Sequence, residues 1–268
     1  MTAVTLHPPG AFLYSLHHLG LDCHVPAKAI WIIALLCLAF GLQAQPRQVD
    51  LYLPDAPPLT LVQNAKGHGI VGDAALLALK RAGYRVRIRV EPWARAQKTV
   101  MDGRDLLIIP LSRTPEREAL YTWVAPVMAL DRVFFSLDEP VKSFEEARQR
   151  YRQIGVGLGT AQSDILHREG FADEQIRHLV LGDKPAQLLL MGRIDAWFTG
   201  VTEGLYIWPQ VTDRKLHMSP PLATTDLYIA CSRQCDPQLA DAVAHAMQTL
   251  RDEGRVQRIQ KHYLPGVQ

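Results

Sequence analysis

Four apolar residues in a row, Leu106-Leu107-Ile108-Ile109, constrain this chain more than any other segment. A run with no polar face reads as a strand covered on both sides, as in a parallel sheet packed between helices. The segments before it supply the covering. Val49 to Leu53 is a short apolar strand stopped by Pro54, Pro57 and Pro58. Gly69 to Ala82 carries Ile70, Ala74, Leu77 and Ala78 at helical spacing, and Gly83 takes the position just past the helix end. Tyr84, Val86, Ile88 and Val90 alternate with Arg85, Arg87 and Arg89, which marks a strand with one wet face. A helix follows Pro92. Alternating strand and helix predict a mainly parallel sheet.

The pattern then restarts. Arg132 to Leu137 reads as a strand, and Ser143 with Glu146 three residues on forms a capping box for the next helix. Ile154 to Leu158 is a strand, and Gly159-Thr160 leads into another helix. A helix closing at Leu188 to Met191 is stopped by Gly192, and Ile194 to Phe198 is a second buried strand. Leu227 to Cys231 is a later strand. Asp236-Pro237 is a cap and first-turn pair for a long helix bearing Leu239, Val243, Met247 and Leu250. Two α/β units follow from this order. These patterns leave open which unit receives the last helices.

The 268 residues are 48% hydrophobic and 21% charged, enough apolar material for a core and too little charge for disorder. A formal charge of +2 gives no electrostatic reason to expect nucleic acid. Lys28 precedes an apolar run from Ile30 to Leu42, short for a membrane span of roughly 20 residues and right for a secretory signal. Polar Gln43, Gln45, Arg47 and Gln48 follow, so residues 1–44 are expected to be a leader cut after Ala44. Residues 1–27 lack a short basic start and carry Asp22, which points to translation beginning nearer Val25. Leu36 before Cys37 argues against a lipid anchor. The exported part would keep two of the four cysteines, Cys231 and Cys235, an even pair that favours a disulfide over free thiols.

No nucleophile elbow, zinc-protease helix motif or P-loop is present, and the histidines show no metal-ligand spacing. Gly155-x-Gly157-x-Gly159-Thr160 lacks the second half of a dinucleotide turn. No cofactor or metal is expected. Three segments combine binding chemistry instead. Glu91-Pro92-Trp93-Ala94-Arg95 sets a flat apolar ring and a planar cation at a strand end. Pro110 to Arg117 offers Ser112 and Thr114 hydroxyls, free N–H groups and the Arg117 fork. Gly159-Thr160-Ala161-Gln162 opens a helix with unpaired N–H groups from the second unit.

In order, P-W-A-R-A, D-L-L-I-I-P-L-S-R-T-P-E-R, Y-T-W-V-A-P-V, S-F-E-E-A, I-G-V-G-L-G-T and M-G-R-I-D-A-W-F resemble the bacterial extracellular solute-binding proteins of family 3. The resemblance runs from about Val49 to Pro265. It implies a two-lobed α/β periplasmic-binding-protein fold of type II, with two crossover segments and the C-terminal helices returning to the first lobe. Lobe one would be 49–130 plus 225–268, and lobe two 131–224. It further implies that Trp93 stacks on the ligand and Arg117 pairs with its carboxylate. Backbone N–H groups of Ser112 and of the Thr160-Ala161 turn would complete the pocket, with Arg95 as the alternative anchor.

Two departures bear on the ligand. The stretch Phe198-Thr199-Gly200-Val201 has no acid where the family's amino-acid receptors usually hold an ammonium, and Pro110 replaces a small hydroxyl residue. Asp55, Asp226 or Glu203 could substitute for the missing acid. A zwitterionic amino acid is therefore disfavoured against a carboxylate-bearing solute. The expected protein is a periplasmic monomer that is not an enzyme. It would bind a small molecule and hand it to the permease of an ABC importer, or report it to a membrane sensor. A small-acid dehydratase is the third alternative, disfavoured because no poised acid or base is evident near these segments.

Overall fold

A computed structural model describes residues 47–62, 67–180 and 184–264. The expected leader over residues 1–44 lies outside the described residues.

The elements alternate as the patterns predict. The first half holds β1 (Gln48–Tyr52), α1 (Gly69–Arg81), β2 (Arg85–Arg89), α2 (Trp93–Asp102) and β3 (Leu107–Ser112). A 3-10 turn (Pro115–Leu120) leads into β4 (Thr122–Ser136). The second half holds α3 (Phe144–Arg150), β5 (Ile154–Gly157), α4 (Ala161–Arg168), β6 (Ile176–Leu179), α5 (Pro185–Leu190), β7 (Ala196–Gly200) and α6 (Val201–Ile207). The chain then forms the short β8 (His217–Met218), β9 (Ala223–Cys231), α7 (Pro237–Asp252) and α8 (Arg255–Tyr263).

One sheet runs through both halves in the order β2-β1-β3-β9-β4-β7-β5-β6, with β8 beside β4. Each flank is parallel: β2, β1 and β3 on one side, β7, β5 and β6 on the other. The centre is an antiparallel ribbon of β4 and β9, in register from Thr122 opposite Cys231 to Arg132 opposite Ala223. This ribbon is longer than the sequence patterns indicate. The strand read at Arg132 is the end of a 15-residue one. Its first part hides because the ladder shifts register between Trp123 and Ala125 and again between Pro126 and Met128, which destroys simple alternation. Pro110 interrupts β3 in the same way, inside a register shift between Ile108 and Leu111, where a missing N–H is tolerated.

Two main cores fill the halves. Leu51, Leu79, Leu107 and Ile229 pack with Val243, Met247, Leu250 and Val256, so α7 and α8 lie against the first half. Phe134, Ile154, Ile165 and Phe198 centre the second core, with the Phe134 and Phe198 rings 4.7 Å apart. Asp236 caps α7 through the Gln238 N–H at 3.0 Å, with Pro237 in the first turn. The capping box at Ser143 is only half formed. Ser143 accepts from the Glu146 N–H, but the Glu146 carboxylate accepts from Lys142 one residue earlier. Cys231 and Cys235 are joined, with their Cα atoms 6.0 Å apart.

Candidate functional site

A cleft of about 510 Å³ opens beside the ribbon. One wall comes from the first half, with the loop Pro54–Leu59, Trp93, Pro110 and Arg117. The other comes from the second half, with Gly157, Thr160, Ala161, Gln162, Trp197, Thr199 and Glu203. The floor includes Ser112, Leu130, Arg132 and Leu227 on β3, β4 and β9. Parallel flanks present their strand ends here, where such sheets leave room for a ligand.

Trp93 opens α2 and is 7% exposed, because its ring packs with Val100, Ile108, Leu111 and Tyr121 while its edge borders the cleft. Arg95, two residues on, lies on the exposed outer face of that helix and is not among the cleft residues. Ser112 ends β3, with its hydroxyl accepting from Arg132 Nη2 at 2.7 Å. Arg117 sits in the 3-10 turn at 8% exposure. Its Nη2 crosses the cleft to the Gly159 carbonyl at 3.1 Å and the Asp164 carboxylate at 3.2 Å. Gln97 donates to the same carbonyl at 2.9 Å, and Arg168 reaches Glu116 at 2.6 Å. Gly159 takes φ +70°, which suits glycine, and a Cβ there would meet Gln97 Nε2 at 3.2 Å. Thr160 uses its hydroxyl on Gly157 O at 2.6 Å and does not cap α4. The structure thus gathers Trp93, Ser112, Arg117, Thr160 and Ala161 at one cleft and leaves Arg95 outside it.

On the floor, sequence reasoning found Ser112 and passed over Arg132. Arg132 is 1% exposed, with Nη1 donating to Thr225 Oγ1 at 2.5 Å and to Leu130 O at 3.3 Å. Burial pushes its pKa down to about 10, and the charge of Arg117 pushes the same way. A signal existed: Leu130, Arg132 and Phe134 alternate onto one face of a strand, so a cation sits in an apolar row. Glu203, on α6, borders the cleft and accepts from the Thr199 hydroxyl. Burial raises its pKa, against the opposing pull of Thr199 and Arg132. Of the other acids considered, Asp55 lies at the cleft and Asp226 is exposed on β9 away from it. A Cβ on Gly200 would stand 2.8 Å from Leu130 Cδ1. The Leu130 side chain therefore fills the space that a side chain at this strand end would need.

The family model for bacterial extracellular solute-binding proteins, family 3, matches residues 51–266. The chain belongs to this family. No curated protein sequence matches it. As a family 3 solute-binding protein it has a fold found in many solved structures. One is ArtJ, an arginine-, lysine-, histidine-binding protein from Geobacillus stearothermophilus, with 18% identity and a TM-score of 0.71, covering 83% of this chain and 97% of that one. Another is the GluR0 ligand-binding core from Nostoc punctiforme in complex with glutamate, with 15% identity and a TM-score of 0.68, covering 82% and 99%. A third is a histidine kinase sensor domain with similarity to periplasmic binding proteins, with 18% identity and a TM-score of 0.71, covering 82% and 97%. At these identities the likeness establishes the two-lobed fold. None of the described helices is long and apolar enough to cross a membrane, and no metal-ligating cluster occurs among the described residues.

Proposed function

We propose that this family 3 protein captures a small carboxylate-bearing solute between its lobes and delivers it to the permease of an ABC importer. The observation that carries this reading is the convergence of Arg117, Ser112 and the Thr160-Ala161 turn around the edge of Trp93. A guanidinium in a partly dry cleft grips a carboxylate through a charge-assisted fork, and helix-start N–H groups favour the same charge. The lobes are residues 49–130 plus 225–268 and residues 131–224, closing over the solute on the β4–β9 ribbon. The ligand need not carry an ammonium group, since Leu130 fills the strand end beside Gly200. The protein works as a monomer in the periplasm after losing residues 1–44. It performs no chemistry on its ligand.

Calorimetry of the purified protein against paired probes tests this. Small carboxylates should bind, and their amides should not. Equal binding of acid and amide would remove the carboxylate from the reading. A second partner, a membrane signalling protein, is favoured by the likeness to a histidine kinase sensor domain. Co-purification with a permease complex or with a membrane kinase separates the two.

A further inference from the structure

Arg132 is left unexplained by that reading. It stands on the ribbon where both halves meet, buried beneath the cleft that it helps to line. A guanidinium has five N–H donors, and the three hydrogen bonds to Ser112, Thr225 and Leu130 use at most three of them. The Nε–H has no acceptor and is itself buried away from the cleft opening. Among the described residues no carboxylate forms an ion pair with it. Its partners are two hydroxyls and a carbonyl, all neutral. Arg117 differs, because Asp164 already faces it.

The carboxylate of Glu203 acts on Arg132 without pairing with it, so this buried cation is only partly compensated where it borders the cleft. Arg117 and Arg132 both line that cleft, and the charge of Arg117 acts on Arg132.

We propose that Arg132 is the specificity-determining cation of the cleft. It receives a second acidic group, so the solute is a dicarboxylate with one acid at Arg117 and the other on the floor. This rests on the carboxylate reading of Arg117. The Ser112, Thr225 and Leu130 contacts hold the Arg132 side chain at the cleft floor, so its positive charge, rather than the buried Nε–H, is what the second acid meets. A monoacid fits the same cleft but leaves the floor cation unpaired, and is discriminated against for that reason.

The test is calorimetry with matched probes: glutarate against butyrate, succinate against propionate, and L-glutamate against L-glutamine. Wild type should bind the diacid of each pair on the order of tenfold tighter or more. Arg132→Gln should bring the two members of each pair within about threefold while changing monoacid affinity by less than about threefold. Arg132→Lys keeps the charge without the fork and should restore part of the preference. Equal affinity within each wild-type pair overturns the proposal, even where Arg132→Gln fails to fold. Equal weakening of both members by Arg132→Gln also overturns it, because both arginines would then share one acid. Should no carboxylate of either kind bind wild type, the Arg117 reading itself fails. Should monoacids and diacids bind alike, only the role of Arg132 fails.

Discussion

The rim and the floor of the cleft each present an arginine, and the two are held by opposite means. At the rim, Arg117 leaves a 3-10 turn of the first half and meets an acid and a carbonyl of the second half. On the floor, Arg132 never leaves its ribbon and meets only hydroxyls and a carbonyl. The rim contact joins the two halves and breaks if they part. The floor contacts lie within β3, β4 and β9 and do not depend on closure. A cation with an internal acid is a latch that a ligand must share, whereas a cation without one is a vacancy in the charge balance that a ligand fills. On the proposed reading, the same residue type serves closure at one place and selection at the other.

The largest expected effect falls on the scaffold of the rim. Trp93 packs with Val100, Leu111 and Tyr121 as well as edging the cleft. Trp93→Ala should lower folding stability by about 3–5 kcal/mol, as large-to-small changes in cores do. Denaturant unfolding measures it. A loss below about 1 kcal/mol would mean that Trp93 is a ligand platform with little core duty. Next is the charge of the rim. Arg117→Ala should weaken carboxylate binding by about 2–5 kcal/mol with little change in melting temperature, and Arg117→Lys should recover only part. Arg95→Ala, on the outer face, should bind like wild type. If calorimetry instead finds the loss in Arg95→Ala, the rim reads its ligand with the other arginine.

Glu203 tests the floor. Burial holds its proton to higher pH in the folded chain than in the unfolded one. Between those two values the folded state binds more protons, so this residue lowers stability as pH rises through them. Below the ordinary carboxylate range both states are neutral and the penalty is gone. Glu203→Gln carries no charge at any pH. The variant should melt above wild type at neutral pH, and the gap should close as pH falls below that range. A variant that melts lower at neutral pH would show that Glu203 is the counter-ion of Arg132, and the floor would no longer want an acid from the ligand.

The sequence was legible where local rules decide. Asp236-Pro237 announced α7, and the rows around Val86 and Ile108 announced β2 and β3. Five of the six expected site residues came to the cleft: Trp93, Ser112, Thr160 and Ala161 stand at a strand end or helix start, and Arg117 in the 3-10 turn that follows β3, all at the edge that parallel flanks share. What stayed hidden depends on distant pairing. The first part of β4 carries Pro126 and two register shifts, and only β9, about a hundred residues on, makes it a strand. Arg132 read only as the start of a strand, because its hydrogen-bond partners are contributed from far along the chain. Ser112 and Thr225 are 20 and 93 positions away. Glu203 was visible as an acid, but its place required knowing where α6 lies.

The smallest effect belongs to Asp164, and it separates a latch from a prop. Its side chain is 32% exposed against 9% for Arg117, so the pair is half screened and worth about 0–1 kcal/mol. A ligand carboxylate and Asp164 compete for the same Nη2 donor. Asp164→Asn removes the competing charge while the Gly159 carbonyl, at 3.1 Å, still orients the guanidinium. Affinity for butyrate and glutarate should then rise by about two- to fivefold, by the same modest energy that the pair contributes. Added salt should erode the gain, because the uncovered charge now attracts the ligand through a partly open cleft. Calorimetry at low and high salt reads both. A loss of binding in Asp164→Asn would mean that the acid holds Arg117 in its binding pose, making the rim as fixed as the floor.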